Sequence, residues 1–332
     1  MTPLELLERC FREVPHGGAA EEEARLPRRL WERALLGPAR EFLRRPGKGL
    51  RGRLVEAGWD LAGGAPGAVP PELPALVELL HAGSLILDDV QDGSAERRGA
   101  PALHRVCGTA VAINTASWMV FWPIQILGQA LGEAAAAEAR RRVTAALVSC
   151  HQGQALDLAL PAHELEPAEL AEVVAMSTRL RTASLTELSA GLGALAAGGA
   201  QAAQEELGAL GREIGVALQM LDDLGGVVAD ERRAKGEEDL RLARPTWVWA
   251  WAAEVTSGAQ LAALRAHGRE VAGGADPAPL RARLAAAVAE LGRARARGAL
   301  AAVRARASAR FAGSPALAAL TGDLALLEQS YG

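Results

Sequence analysis

The segment from His81 to Arg98 places acidic side chains inside an otherwise apolar helical pattern, HAGSLILDDVQDGSAERR. Asp88 and Asp92 are four residues apart, so on a helix their side chains lie on the same face. Carboxylates in apolar surroundings need a charged partner. Mg²⁺ is a suitable partner because it prefers oxygen ligands and commonly bridges to substrate phosphates. His81 lies about 10 Å before Asp88 on the same face. The segment therefore predicts a largely buried helix that ends at a site for a cation and an anion, with the pair Arg97-Arg98 facing that anion.

A second acidic cluster, Gln219 with Asp222 and Asp223, also lies within an apolar helical pattern. Each cluster alone is compatible with a solvated helix end, and the pair Gly225-Gly226 is a typical helix stop. Acids at a helix C-terminus oppose the helix dipole, which favours a compensating cation. Two such clusters on separate apolar helices indicate a metal-dependent site more specifically than either does alone.

The composition favours an all-α protein. Half of the residues are hydrophobic, and the abundant Ala, Leu, Arg and Glu are good helix formers. No linker composition or internal repeat divides the chain, so we expect a single domain over residues 1–332 with ten or more helices. The predicted helices cover residues 3–13, 20–45, 52–61, 75–95, 105–131, 134–160, 167–197, 201–225, 245–257, 259–272, 278–309 and 315–329, with a charged connection at 229–238.

Charge and composition argue against several classes of protein. The net charge of −4 gives no reason to expect a nucleic-acid partner. The three cysteines have no C-x-x-C spacing, and they are typical of reduced thiols in a cytosolic protein. Residues 108–132 carry no charge and are long enough to span a bilayer, but their amides, hydroxyls and proline favour a buried core helix. We therefore expect a cytoplasmic protein without stable membrane insertion.

Lysine is almost absent from the chain. Only Lys48 and Lys235 are lysines among 36 basic residues. Where arginine is the default, a retained lysine indicates a position that requires a compact ammonium group. Both lysines are therefore candidate site residues.

The motifs occur in the order found in the polyprenyl synthetase family, the trans-isoprenyl diphosphate synthases, and the chain resembles that family over residues 40–260. The matching residues are Gly47-Lys48-x-x-Arg51, His81, Asp88-Asp89-x-x-Asp92, Arg97-Arg98, Gly153-Gln154-x-x-Asp157, Arg181-Thr182-Ala183, Gln219-x-x-Asp222-Asp223, Lys235, Asp239-Leu240 and Arg244-x-Thr246. The chain departs from the family pattern where Gly226 replaces a third aspartate, where Arg181 and Arg244 replace lysines, and where Gly49 replaces a basic residue.

The resemblance implies the isoprenoid synthase fold, in which one large all-α domain surrounds a central hydrophobic cavity. It also implies that Asp88, Asp92 and Asp222 bind Mg²⁺ on the diphosphate of an allylic substrate, with three ions per active site. The implied catalytic residues are Asp88, Asp92, Arg97, Arg181, Thr182, Gln219, Asp222 and Lys235. The implied substrate-binding residues are Lys48, Arg51, His81, Arg97, Arg98, Arg181, Gln219, Lys235 and Arg244.

The implied reaction is the condensation of isopentenyl diphosphate with an allylic diphosphate after Mg²⁺-assisted ionisation. The second diphosphate would be bound by Lys48, Arg51, His81 and Arg98. The departures also leave open a class I terpene cyclase or a non-catalytic subunit of a heteromeric synthase. We favour prenyl transfer because a cyclase does not need a second diphosphate site.

Product length and assembly follow as weaker expectations. Gly83 and Ser84 are small and would leave the floor of a hydrocarbon tunnel open near the metals. Trp118, Phe121 and Trp122, on one face of the next helix, would close it further down. We therefore expect products of medium length, about C15 to C20 by analogy with the family, and a homodimer.

Overall fold

The computed structural model describes residues 1–11 and 27–329, and α-helices account for most of them. The α-helices are α1 (Pro3–Cys10), α2 (Arg28–Trp31), α3 (Gly37–Leu43), α4 (Leu50–Leu61), α5 (Glu72–Asp92), α6 (Leu103–Cys107), α7 (Thr109–Phe121), α8 (Leu127–Ala130), α9 (Glu133–Ala159), α10 (Pro167–Thr178), α11 (Ser184–Ala196), α12 (Gln201–Val228), α13 (Arg233–Arg241), α14 (Trp247–Val255), α15 (Gly258–Ala272), α16 (Ala278–Phe311) and α17 (Pro315–Gln329). Strands β1 (Glu96–Arg97) and β2 (Ala100–Pro101) form a short antiparallel hairpin. Parts of the helices predicted at 3–13 and 20–45 lie outside the described residues.

Two compact units divide the chain. One contains Met1–Val143 with Leu192–Gln204, and the other contains Thr144–Gly191 with Glu205–Gly332. The single domain over residues 1–332 stays a prediction. The first unit contains the first aspartate-rich segment and the second unit contains the other. Each segment is therefore described by the contacts within its own unit.

Helix α5 is the buried centre of the first unit. Its apolar side chains, such as Leu76, Leu80 and Ile86, are fully buried. Gly83 lies against α7, where a Cβ atom would stand 2.9 Å from the carbonyl oxygen of Ala116. The small residue at position 83 therefore permits close packing of two helices. The expectation that Gly83 leaves a tunnel floor open is wrong for this residue.

The helix predicted at 105–131 is interrupted twice. Gly108, with φ of 84°, separates α6 from α7, because a positive φ is accessible mainly to glycine. A 3₁₀ segment at Trp122–Ile126 follows α7, where Pro123 lacks the N–H that an α-helix needs. The apolar span Thr109–Ala130 has the length and hydropathy of a membrane-crossing helix, but half of its most apolar window is buried.

The three aromatic side chains near the end of α7 do not share one buried face. Trp118 and Trp122 stack with ring centroids 4.9 Å apart. Trp122 is 3% exposed, whereas Phe121 is 66% exposed. The interpretation that all three residues form one tunnel floor is wrong for Phe121, because that side chain points to the surface.

In the second unit, α12 continues past the two glycines that were expected to end it and stops at Val228. The glycines instead allow a close approach to α13. A Cβ on Gly226 would stand 3.1 Å from the Cα of Gly236, and a Cβ on Gly236 would stand 1.9 Å from the carbonyl oxygen of Gly226. Helix α13 begins at Arg233, so much of the predicted charged connection is helical.

Candidate active site

The first aspartate-rich segment ends α5 and is followed by the β1–β2 hairpin. Gly93 ends the helix with φ of 66°, and the hairpin brings Arg97 back to the helix. The Arg97 side chain donates from Nε to Asp89 Oδ1 at 2.6 Å, and its Nη2 lies 3.4 Å from Asp88 Oδ2. Asp89 is fully buried, whereas the Asp88 side chain is 19% exposed. Burial raises the pKa of Asp89, although the hydrogen bond from Arg97 acts in the opposite direction.

Arg98 is fixed by contacts on several sides. Its backbone has φ of 55°, a left-handed conformation that is uncommon outside glycine. Its guanidinium lies 5.3 Å from the ring centroid of Phe42 and donates to the carbonyl oxygen of Arg45 at 3.3 Å. A Cβ on Gly47 would stand 2.9 Å from Arg98 Nη2. Arg98 therefore lies directly against the glycine-rich turn.

That turn, residues 46–49, leads into α4, which begins at Leu50. The backbone N–H of Gly52 donates to Glu78 Oε1 at 2.9 Å, which ties the start of α4 to α5. Arg53 Nη1 donates to the carbonyl oxygen of Lys48 at 2.7 Å. The contacts hold Lys48 and the following turn of helix in a defined place.

His81 lies among positive charges. Burial, together with the charges of Arg51, Arg98 and Arg97, lowers the pKa of His81 well below its ordinary value. A lowered pKa means that the imidazole is neutral at neutral pH. The first unit thus brings His81, Arg51 and Arg98 into one basic cluster, as the sequence predicts, and Lys48 lies in the adjoining turn.

The second aspartate-rich segment has a buried and a partly exposed carboxylate. Asp223 accepts hydrogen bonds from Gln219 Nε2 at 2.7 Å and from the backbone N–H of Trp247 at 2.8 Å. Burial raises the pKa of Asp223 to about 8. Asp222 is 33% exposed and pairs with Arg232. Arg232 lies in the charged connection predicted at 229–238, and no role for it was predicted.

Thr182 extends this network. Its hydroxyl donates to Gln219 Oε1 at 2.6 Å, so Thr182, Gln219 and Asp223 form one chain of hydrogen bonds. The predicted site residues Thr182 and Gln219 are therefore brought together, and their side chains orient one another.

Asp157 joins the two arginines that stand at lysine positions. Arg181 Nη1 lies 2.6 Å from Asp157 Oδ1, and Arg244 Nε lies 3.5 Å from Asp157 Oδ2. Arg244 Nη1 also donates to the backbone oxygen of Asp157 at 2.8 Å. The shared carboxylate holds both guanidinium groups, and a bidentate donor suits this arrangement better than an ammonium.

Lys235 is held by two acids on its own helix. Its Nζ lies 2.9 Å from Asp239 Oδ1 and 3.1 Å from Glu238 Oε2. Burial raises the pKa of Asp239 to about 6, although Lys235 acts in the opposite direction. Sequence reasoning placed Lys235 beside the substrate anion, and in the structure its ammonium contacts carboxylates.

Several residues around the site had no assigned role from the sequence. They are Arg45, Asp89, Asp157, Arg232 and Asp239. Asp89, Asp157 and Asp239 lie inside motifs shared with the family, so motif membership was a usable signal for these three. Arg232 had no such signal, because its partner is ten positions away across a helix end.

No group of three or more His, Cys, Asp or Glu side chains within residues 1–11 and 27–329 is arranged to hold a metal ion by itself. Asp88 and Asp222 are each partly exposed and each lie beside an arginine. Mg²⁺ commonly takes one or two carboxylates and fills its remaining positions with water and substrate phosphate. These carboxylates fit an ion that arrives with a diphosphate better than one in a closed protein cage.

Comparisons with known proteins agree with the motifs. The chain is 38% identical over 127 residues to geranylgeranyl pyrophosphate synthase 2 of Zymoseptoria tritici, which covers 38% of this chain and 37% of that protein. It is 35% identical over 184 residues to the geranylgeranyl diphosphate synthase of Mycobacterium tuberculosis, which covers 55% of this chain and 51% of that protein. The chain thus spans about half or less of the length of these curated relatives.

The fold has a close counterpart among solved structures. The geranylgeranyl pyrophosphate synthase of Corynebacterium glutamicum, complexed with isoprenyl diphosphate and magnesium, aligns with a TM-score of 0.77 and 23% identity. The alignment covers 98% of this chain and 96% of that one. This likeness confirms the all-α isoprenoid synthase fold. Residues 32–274 match the family described as Polyprenyl synthetase, and the chain belongs to that family.

Proposed function

We propose that this protein is a prenyltransferase that condenses isopentenyl diphosphate with an allylic diphosphate. The observation that carries the proposal is the basic cluster of the first unit, which contains His81, Arg51 and Arg98 beside the Lys48 turn. A terpene cyclase ionises a single diphosphate and has no use for a second basic site. The names of the curated relatives support the same reaction.

The donor set fits Mg²⁺ bound together with substrate. Asp88 and Asp92 on α5, and Asp222 on α12, would hold the ions, with three per active site. When bound, Mg²⁺ stabilises the negative charge that develops on the leaving diphosphate.

The chain's own cations bind the allylic diphosphate. Arg97 and Arg181 are oriented by Asp89 and Asp157, at 2.6 Å in each case. An oriented guanidinium binds phosphate oxygens through two parallel donors. Lys235 and Arg244 complete the cationic set, and Thr182 and Gln219 orient the reacting end.

The neutral imidazole of His81 and the side chains of Lys48, Arg51 and Arg98 bind isopentenyl diphosphate. The allylic C–O bond breaks and its electron pair leaves with the diphosphate. The double bond of isopentenyl diphosphate then forms the new C–C bond, and a proton leaves to the released diphosphate. The apolar helix faces exclude water, which would otherwise capture the cation.

We further propose a medium-length product, with C20 as the main one. That length lies within the expected range and matches the geranylgeranyl product named for both curated relatives. Trp122 remains the candidate tunnel floor because it is buried. Trp122→Ala should lengthen the product, whereas Phe121→Ala should leave it unchanged, and chromatography of the dephosphorylated products measures both.

We also propose a cytoplasmic homodimer whose interface includes the exposed face of α7. Ile113 and Phe121 are 42% and 66% exposed, and no charged residue occurs between Gly108 and Gly132. An uncharged surface that exposes large apolar side chains is typical of an association site. Phe121→Asp should convert a dimer to a monomer in analytical ultracentrifugation. Flotation of the wild-type chain with lipid vesicles would instead indicate a membrane surface.

One experiment separates the candidate functions. Purified protein with Mg²⁺ receives dimethylallyl, geranyl or farnesyl diphosphate, each with and without isopentenyl diphosphate. We expect efficient diphosphate release only when both substrates are present. Release from the allylic substrate alone with a cyclic product would identify a cyclase. No release until a second subunit is added would identify a non-catalytic subunit.

A further inference from the structure

The turn before α4 has a glycine where a cation would be useful. Gly49 has φ of 62° and ψ of 19°, a left-handed conformation that glycine adopts without strain. A Cβ at this position would have Arg53 Nη1 as its nearest neighbour, at 3.4 Å. The guanidinium of Arg53 therefore occupies the space into which a side chain at position 49 would project.

We propose that Arg53 is a further substrate-binding residue, and that it supplies to the isopentenyl diphosphate site the positive charge that Gly49 lacks. This inference rests on the proposed function. Side chains of an α-helix lean towards its N-terminus, so Arg53, one turn into α4, reaches back over the turn. Its hydrogen bond to the carbonyl oxygen of Lys48 at 2.7 Å fixes the guanidinium there.

The surroundings of Arg53 favour an anion. The first backbone N–H groups of α4 point out of its N-terminus, and the helix dipole adds partial positive charge. Lys48 and Arg51 flank the same turn, and Arg51 belongs to the basic cluster around His81. The proposal places a diphosphate bound by this cluster against the Lys48 turn, on which the Arg53 guanidinium is fixed.

Glycine at position 49 and arginine at position 53 therefore depend on each other. The absence of a side chain at Gly49 leaves room for the Arg53 guanidinium, and this guanidinium supplies the positive charge that position 49 lacks. Moving the charge from position 53 to position 49 should therefore preserve binding.

The test measures binding of isopentenyl diphosphate by titration calorimetry, without divalent metal or allylic substrate. Arg53→Gln should weaken binding by about tenfold, the effect of one charge-assisted contact, and should reduce the salt dependence of the affinity. The double variant Gly49→Lys/Arg53→Gln should recover most of the affinity. Arg33→Gln removes an exposed arginine of the same unit and should leave binding unchanged.

Each outcome decides a different point. Equal affinity in wild type and Arg53→Gln would overturn the role of Arg53 while leaving the proposed function intact. A folded double variant that still binds weakly would also overturn it, because Arg53 would then serve only to hold Lys48. Absence of isopentenyl diphosphate binding by the wild-type chain would instead count against the proposed function. Thermal unfolding of every variant separates loss of binding from loss of fold.

Discussion

The two aspartate-rich segments bury one carboxylate each but compensate it differently. Asp89 in the first segment is buried against the guanidinium of Arg97. Asp223 in the second is buried against neutral donors, the amide of Gln219 and the backbone N–H of Trp247. Neutral donors offset desolvation less than a full positive charge does, and the pKa of Asp223 rises to about 8. The first segment is an ion pair and the second a hydrogen-bond network.

The outer carboxylates differ in a related way. Arg97 contacts both Asp88 and the buried Asp89, so the buried carboxylate would hold this arginine if a metal ion bound Asp88 as proposed. Arg232 pairs with Asp222 itself. A metal ion at the second segment would therefore compete with a guanidinium more directly than one at the first.

The largest expected effect concerns the proposed metal ligands. The first segment offers two ligands on one helix face, so Asp88→Ala or Asp92→Ala should lower kcat by about 10³-fold. Asp222→Ala should lower it by about 10²-fold, because the second segment offers one ligand. Steady-state diphosphate release at saturating Mg²⁺ measures both effects. Near-normal turnover in the Asp88 and Asp92 variants at limiting Mg²⁺ would remove the metal assignment from α5.

Substitution of the two buried carboxylates should lower the free energy of unfolding by different amounts in the two segments. Asp89→Asn removes the buried charge partner of Arg97, which keeps only its 3.4 Å contact with Asp88, and should lower the free energy of unfolding by about 3 kcal/mol. Asp223→Asn keeps a neutral group among neutral donors and should lower it by about 1 kcal/mol. Urea denaturation at pH 7 measures both values. Equal losses would mean that the partners of the buried carboxylates do not differ in their effect.

Removal of the competing guanidinium should change the requirement for metal. Arg232→Gln should lower the Mg²⁺ concentration for half-maximal activity several-fold, and Mn²⁺ binding followed by electron paramagnetic resonance should tighten in parallel. Arg233→Gln is the matched control, since Arg233 is a neighbouring arginine that pairs with Glu237. An unchanged metal requirement in Arg232→Gln would show that the pair with Asp222 does not oppose metal binding.

The smallest expected effect is a dependence of stability on pH, which arises from His81 in the first unit. The folded-state pKa of His81 lies below its ordinary value of 6.5. Below pH 6.5 the unfolded chain binds a proton that the folded chain does not, so stability falls as pH falls. The slope is at most about 1.4 kcal/mol per pH unit. His81→Gln should remove this contribution, and unfolding at pH 7.5 and 5.5 measures the difference; identical pH dependence in both proteins would contradict it.

Much of the fold and of the candidate site could be predicted from the spacing of residues along the sequence. The existence of α5 and the shared face of Asp88 and Asp92 follow from helical periodicity, although the predicted range 75–95 lies three residues later at both ends than Glu72–Asp92. The gathering of His81 with Arg51 and Arg98 follows from the motifs. Residues 105–131 were predicted as one continuous helix because the apolar periodicity continues through Gly108 and Pro123. There the backbone preferences of single residues override the pattern.

Partners that are distant in sequence could not be predicted from spacing. The hydrogen bond from Trp247 to Asp223 joins residues 24 positions apart, and Arg244 reaches Asp157 across 87 positions. Such contacts depend on how helices pack, and the residue spacing within one sequence does not reveal which distant residues will meet. For the same reason, no role for Asp89 followed from the sequence, although its buried carboxylate holds Arg97.

The contact between α12 and α13 bears on how the missing carboxylate could be restored by design. Gly226 stands where the family pattern has a third aspartate, and its backbone lies against Gly236. A Cβ at position 226 would stand 3.1 Å from the Cα of Gly236, which requires the neighbouring helix to shift by a few tenths of an ångström. A Cβ at position 236 would stand 1.9 Å from the carbonyl oxygen of Gly226, so Gly236 is the residue that this contact requires. A designer who restores the aspartate should therefore keep Gly236 and relax the packing of α13 around position 226.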